Sequence, residues 1–178
     1  LMGEKMFQNC TSLTYVSIPG GVTVIPERSF LGCSALSEVI FSEGLIGIGY
    51  GAFDSCAGLR QITLPAGLTY LSNYSFAGCA LLTEIVIPSG VTEIPFACFE
   101  RCASLTNVTL PSDITLIDAY AFHHCSSLSA IYYGGSVSDW QGMERYTFLW
   151  SAVWDWDNDT GEYTVFCTDG NISKEDAS

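Results

Sequence analysis

Phe76-Ala77-Gly78-Cys79-Ala80-Leu81-Leu82-Thr83-Glu84-Ile85-Val86-Ile87-Pro88-Ser89-Gly90-Val91-Thr92-Glu93-Ile94-Pro95-Phe96-Ala97-Cys98-Phe99 is one turn of a pattern that runs through most of the chain. Its phenylalanine recurs every 23 residues, at Phe7, Phe30, Phe53, Phe76, Phe99 and Phe122. A cysteine follows three positions later each time, at Cys10, Cys33, Cys56, Cys79, Cys102 and Cys125. No insertion breaks the period. A spacing held this strictly places each unit at an equivalent position in a stacked array, because loops of varying length would let the register slip. The chain reads as a solenoid.

The units also agree between these landmarks. Leucine stands three residues after every cysteine (Leu13, Leu36, Leu59, Leu82, Leu105, Leu128), a branched apolar residue three further on (Val16, Val39, Ile62, Ile85, Val108, Ile131), and a third apolar residue two beyond that. A step of two between inward positions is the period of a strand. Proline follows at Pro19, Pro65, Pro88 and Pro111, ending the strand by removing a ladder donor. A second apolar pair re-enters the core, from Val22 with Ile25 to Val137 with Trp140. The four residues before each phenylalanine end in a small side chain (Ser29, Ala52, Ser75, Cys98, Ala121), and their spacing predicts a short helical turn with the ring pointing inward.

Composition fits one such domain. The 178 residues are 48% apolar and only 14% charged, as expected where every turn aims several side chains into one continuous core. Six basic against nineteen acidic residues give a net charge of −13, which argues against nucleic acid and anionic membranes as partners and leaves cationic ones open. The acid gathers late, since residues 136–178 hold nine carboxylates against Arg145 and Lys174. No apolar run is long enough for a membrane helix, and the first residues do not read as a secretory signal. They align instead with the second half of a repeat, Met2 with Ile25 and Phe7 with Phe30, so a longer array upstream is expected.

The eight cysteines admit three readings: a disulfide framework, a metal site, or small core residues. Stacked coils hold equivalent β-carbons about 4.8 Å apart on parallel vectors, poor geometry for a disulfide. Burial of the six ladder thiols is the expectation, with Cys98 also in the core and Cys167 outside the pattern. Cys98, Cys102, His123, His124 and Cys125 are the residues that a metal could gather, but paired Cys-x-x-Cys knuckles are absent and the histidines read as exposed turn residues. Asp155, Asp157, Asp159 and Glu162 raise calcium as a second possibility. Thr160 and Phe166 stand where an EF-hand loop needs glycine and glutamate, which favours an acidic surface turn. No metal or other cofactor is expected.

The line from Cys79 to Phe99 resembles the BspA-like (Treponema pallidum type) leucine-rich repeat, and the match extends over about six units. That resemblance implies a leucine-rich-repeat solenoid, horseshoe-like and mostly β, with right-handed coils and a parallel sheet on the concave face. Residues 1–135 would form the solenoid and 136–178 a C-terminal cap, the segments Ile131–Trp140 and Val165–Gly170 being similar to the closing segment of such proteins from gut bacteria. Trp140, Trp150, Trp154 and Trp156 all fall there and suit a lid over the open end of the core. The family further implies a secreted or surface-attached protein that adheres to host or neighbouring cells.

Strand alternation picks out the residues free to bind. With Leu13, Val16 and Ile18 inward, one outward column reads Tyr15, Glu38, Gln61, Glu84, Asn107 and Ala130, and the other Ser17, Ile40, Thr63, Val86, Thr109 and Tyr132. A wide, mixed surface of this kind suits a protein or glycan better than a small molecule. Glu38 and Glu84, separated by one coil, lie about 10 Å apart, at or beyond the reach of an inverting carboxylate pair. No nucleophile elbow, phosphate loop or zinc helix appears, so no catalytic residue is expected. The expected function is a non-enzymatic interaction or adhesion module acting through the concave face. The alternatives are a spacer that displays another domain and a glycan-binding module.

Overall fold

The computed structural model describes residues 2–145 and 160–177. Longer and two-residue strands alternate along the chain, except that two short ones, β4 and β5, follow each other: β1 (Tyr15–Ile18), β2 (Val24–Ile25), β3 (Glu38–Phe41), β4 (Gly47–Ile48), β5 (Tyr70–Leu71), β6 (Glu84–Val86), β7 (Glu93–Ile94), β8 (Asn107–Leu110), β9 (Leu116–Ile117) and β10 (Ala130–Tyr133). After these come helix α1 (Val137–Gly142), β11 (Glu144–Arg145), β12 (Thr164–Phe166), β13 (Asn171–Ser173) and helix α2 (Lys174–Ala177). Long strands pair in parallel in the register the period demands, Val16 beside Val39 and Ile85 beside Val108 beside Ile131. Short strands do the same, β2-β4-β5 and β7-β9-β11. These are the stacked coils of a leucine-rich-repeat solenoid, with a single core cluster running through the stack.

The core is built from the repeated positions. Phe30, Phe53, Phe76, Phe99 and Phe122 are fully buried, and successive rings from Phe7 onward stack with centroids 5.2–5.6 Å apart and planes within 7° of parallel. Each such pair adds about 0.5–1.5 kcal/mol to the area it buries. The small residues before the rings are buried as expected, and Ser29 satisfies its hydroxyl on the Pro26 carbonyl at 2.8 Å.

The segment around each phenylalanine is not helical. It alternates between right- and left-handed backbone, with positive φ two residues before the ring (Arg28, Gly51, Tyr74, Ala97, Tyr120) and two after (Gly32, Ser55, Gly78, Arg101, His124). That alternation turns every second amide toward the next coil. Tyr74, Phe76 and Gly78 thus donate to the carbonyls of Phe96, Cys98 and Glu100 at 3.1, 2.9 and 2.7 Å. A helical turn would have spent those amides within its own coil, and the coils would have lost this third ladder. Left-handed φ costs most side chains about 1–2 kcal/mol, and only three coils use glycine at one of these positions.

Five ladder thiols carry a role that spacing alone did not reveal. Sγ of Cys33, Cys56, Cys79, Cys102 and Cys125 donates to the carbonyl of Phe7, Phe30, Phe53, Phe76 and Phe99, one coil back, at 3.0–3.3 Å. The same carbonyl accepts the amide of the cysteine in its own coil, so both lone pairs are used. Burial pushes the thiols up, Cys125 to about 12 and Cys98 to about 12, the latter against Ser75 at 3.2 Å. Cys10, in the first described coil, is exposed and departs from the expected burial, having no earlier described coil to cover it. All eight cysteines are free.

One further expectation changes. Residues 61–64 form no strand, although Ile62 and Leu64 still point into the core. Nothing in their side chains accounts for the lost pairing. In the last unit, the apolar pair Val137 and Trp140 sits on α1, because Ser136 caps a helix through a reciprocal bond with Asp139. Trp140 is nevertheless fully buried, edge-on to Tyr133 at 5.5 Å. β11 then takes the place beside β9, β12 extends the long-strand sheet beside β10, and β13 runs antiparallel along its edge. Trp150, Trp154, Trp156 and the Asp155–Asp159 part of the acidic turn lie outside the described residues.

Candidate binding face

The long strands expose one residue in two, and the register stacks these residues into the two expected columns. Tyr15 lies beside Glu38 and Ser17 beside Ile40 on β1 and β3. On the other half, Glu84, Asn107, Ala130 and Thr164 form one row, and Val86, Thr109, Tyr132 and Phe166 the other. Tyr15, Ser17, Glu38, Ile40, Gln61, Thr63, Glu84, Val86 and Tyr132 are exposed. Asn107 and Thr109 are half-buried and Ala130 is buried, because its short side chain sinks between its neighbours.

Apolar exposure on this face is concentrated in a few side chains. Ile40 is 46% exposed, Val86 60% and Tyr132 46%. Phe166 stacks on Tyr132 at 5.1 Å and 18°, extending the second column by one strand. Sequence reasoning missed Phe166 and Thr164. Their strand comes 34 residues after β10 rather than 23, so the period cannot point to it. The alternation of Tyr163 and Val165 with Thr164 and Phe166 was the available signal.

A second aromatic line runs along the turn side. Tyr50, Tyr74, Phe96 and Tyr120 meet in sequence at 5.4–5.6 Å, and the Arg28 guanidinium lies over Tyr50 at 4.9 Å. It shifts between two and three residues before the buried phenylalanine, which hid it from a strict repeat reading. These contacts are mostly edge to face, and Tyr74, Phe96 and Tyr120 are half-buried, so the line braces the turns.

The residues that a metal could have gathered point elsewhere. Cys98 bonds Ser75, and Cys102 and Cys125 bond backbone carbonyls. His123 and His124 are half-buried rather than exposed, with His123 Nδ1 3.9 Å from Glu100. Among the described residues no group of three or more His, Cys, Asp or Glu is placed to hold a metal ion, and no helix is long and apolar enough to cross a membrane.

The comparisons with known proteins agree with the coil geometry. Residues 1–129 match the BspA type leucine rich repeat region in six copies. A leucine rich cell surface protein from Faecalibacterium prausnitzii A2-165 superposes with a TM-score of 0.70 at 33% identity, over 77% of this chain and 36% of its own. A T. pallidum leucine rich repeat protein gives 0.63 at 32%, over 66% and 57%. A leucine-rich repeat protein from Bacteroides ovatus gives 0.60 at 28%, over 75% and 42%. No curated protein matches the chain significantly. The chain thus spans less than two thirds of each of these solved proteins. Six in-register copies with the phenylalanine and cysteine ladders intact place it among them: the chain belongs to the BspA-type leucine-rich repeat proteins.

Proposed function

We propose that this chain is a non-enzymatic interaction module of a secreted or surface-attached bacterial protein, and that it binds a macromolecule of a host or neighbouring cell across the long-strand face. The observation that carries the reading is the line of exposed Ile40, Val86 and Tyr132 on alternate coils of one outward column, among polar residues. Apolar side chains rimmed by Glu38, Gln61, Glu84 and Thr63 have the make-up of a protein-binding surface. The turn-side rings repeat at 5.2–5.6 Å, whereas paired strands lie about 4.8 Å apart, a wedge that favours a stack curved around the sheet. The surface location of the Faecalibacterium relative, a leucine rich cell surface protein, supports the same placement here.

We read residues 136–178 as the segment that closes the stack, since antiparallel β13 ends the parallel series. Binding of extracellular-matrix proteins and of glycans to the immobilised chain tests the function, with the Tyr15→Ala/Tyr132→Ala variant as the site control. Binding that the double variant weakens about tenfold or more supports the sheet face, since exposed aromatics are the expected anchors. Binding left intact would move the site elsewhere, and no binding at all would favour a spacer. Selective retention of glycans would favour the glycan-binding alternative and the Tyr132–Phe166 pair.

A further inference from the structure

Four residues of the second outward column lie on an unbroken run of paired strands. Val86 stands beside Thr109, Thr109 beside Tyr132, and Tyr132 beside Phe166. Their heights differ: Val86 is 60% and Tyr132 46% exposed, while Thr109 between them is half-buried. Phe166 covers one face of the Tyr132 ring, with centroids 5.1 Å apart and planes 18° from parallel. Rings stacked along the direction of strand pairing turn their faces along the column, so the other face of Tyr132 looks across Thr109 toward Val86. That face is the open one, since the ring keeps its exposure although Phe166 backs it.

The two tall side chains form the walls of a slot with Thr109 as its floor. Val86 and Tyr132 are two strands apart, about 9.6 Å at a spacing of about 4.8 Å. Less the breadth of the valine, that admits one flat group in contact with both walls at about 3.5–4 Å. Acceptors lie along one side, in the first outward column. Asn107 donates its amide nitrogen to Thr106 Oγ1 at 3.2 Å, which leaves its carbonyl oxygen as an acceptor. Ala130 beside it is buried and raises no barrier. Glu84, on the same strand and face as Val86, is exposed and makes no ion pair among the described residues.

We infer that this slot takes an arginine side chain presented by the partner, with its guanidinium stacked on Tyr132 and paired with Glu84. The walls call for a flat group and the rim calls for a cation that donates hydrogen bonds. At neutral pH guanidinium alone among side chains is both. An aromatic ring is flat but leaves Glu84 and Asn107 unused, an ammonium meets Glu84 but cannot stack as a plane, and a neutral sugar ring gains nothing from the carboxylate. Arginine is also a frequent anchor of protein interfaces, and the net charge of −13 draws a cation in from a distance.

This rests on the sheet-face reading above, and the experiment separates the two. The probe is N-acetyl-arginine methylamide, titrated into the intact isotope-labelled protein at low salt, with N-acetyl-lysine methylamide as a control of equal charge. Saturable NMR shifts are expected at the Val86 and Thr109 methyl groups and the Tyr132 ring, with arginine bound about threefold or more tighter than lysine. Thr109→Trp fills the slot and Glu84→Gln leaves it open but uncharged, and each is expected to weaken binding about threefold or more. No saturable shift, equal binding of lysine, shifts spread over the acidic surface, or binding unchanged in either variant overturns the proposal. A macromolecule bound through Tyr132 that saturating arginine probe fails to displace would also overturn it and leave the sheet face standing. Probe binding in the slot together with a negative macromolecule screen would leave the slot standing and remove the proposed function.

Discussion

The turn side and the strand side of this solenoid carry the same 23-residue period and do opposite things with it. On the turn side the coils from Phe30 to Phe99 repeat the same contacts: a parallel phenylalanine stack, alternating left-handed residues that send amides to the next coil, and a thiol that fills the second lone pair of a carbonyl one coil back. On the strand side the outward residues change from coil to coil, and at residues 61–64 the ladder itself lapses. Interactions that close on themselves leave nothing for a partner. Outward side chains left open are where a partner can bind.

The sharpest way to break this comparison is to remove a turn-side ring. Phe76→Ala in the middle of the stack should cost about 3–5 kcal/mol in urea unfolding, because a buried ring and two stacking partners are lost together. Ser17→Ala on the strand face should stay within about 0.5 kcal/mol. Comparable losses would mean that the two sides share the load.

Next in size is the thiol ladder. Cys79→Ala should cost about 1–2 kcal/mol, from the vacated volume and the bond lost to the Phe53 carbonyl. The raised thiols also set a pH dependence. Burial pushes Cys98 and Cys125 up to about 12 in the folded chain, so the stability they contribute is complete well below 9.0, the midpoint for unfolded thiols, and is lost as pH climbs toward 12. Thermal midpoints flat to pH 8.5 and falling above it would bear this out. A thiol reagent at neutral pH should label Cys10 first, Cys167 slowly and the six buried thiols only with unfolding.

Smaller again is the cap of helix α1 in the last unit. Ser136→Ala should cost about 1 kcal/mol, since it removes the side chain that accepts the Asp139 amide. Its bonds with Ser136 hold Asp139 below the usual carboxylate range, so this contribution is present at neutral pH and lost as pH falls into the acid range. The smallest effect tests the left-handed turns. Arg101→Gly at φ 60° should stabilise by about 0.5 kcal/mol, the relief of strain slightly outweighing the entropy of glycine, whereas Arg101→Val should destabilise.

Much of the core could be read directly from residue order. Phe, Cys, Leu and the branched positions recur in register, and a side chain that returns to the same place in every coil has little choice but to face the axis. The two outward columns followed from the strand period, and only Asn107, Thr109 and Ala130 sat deeper than alternation predicts. Phe166 and Thr164 joined those columns by a longer connection than the period allows.

Residue order by itself determined the coil length, the parallel register and the identity of the inward side chains, because all three depend on local periodicity. Tertiary structure decided the rest: left-handed turns in place of a helical one, thiols donating across coils, a helix at Val137 and the lapse at residues 61–64. Each of these depends on where a backbone donor finds its acceptor in the neighbouring coil, a choice made between segments about 23 residues apart and absent from either segment alone.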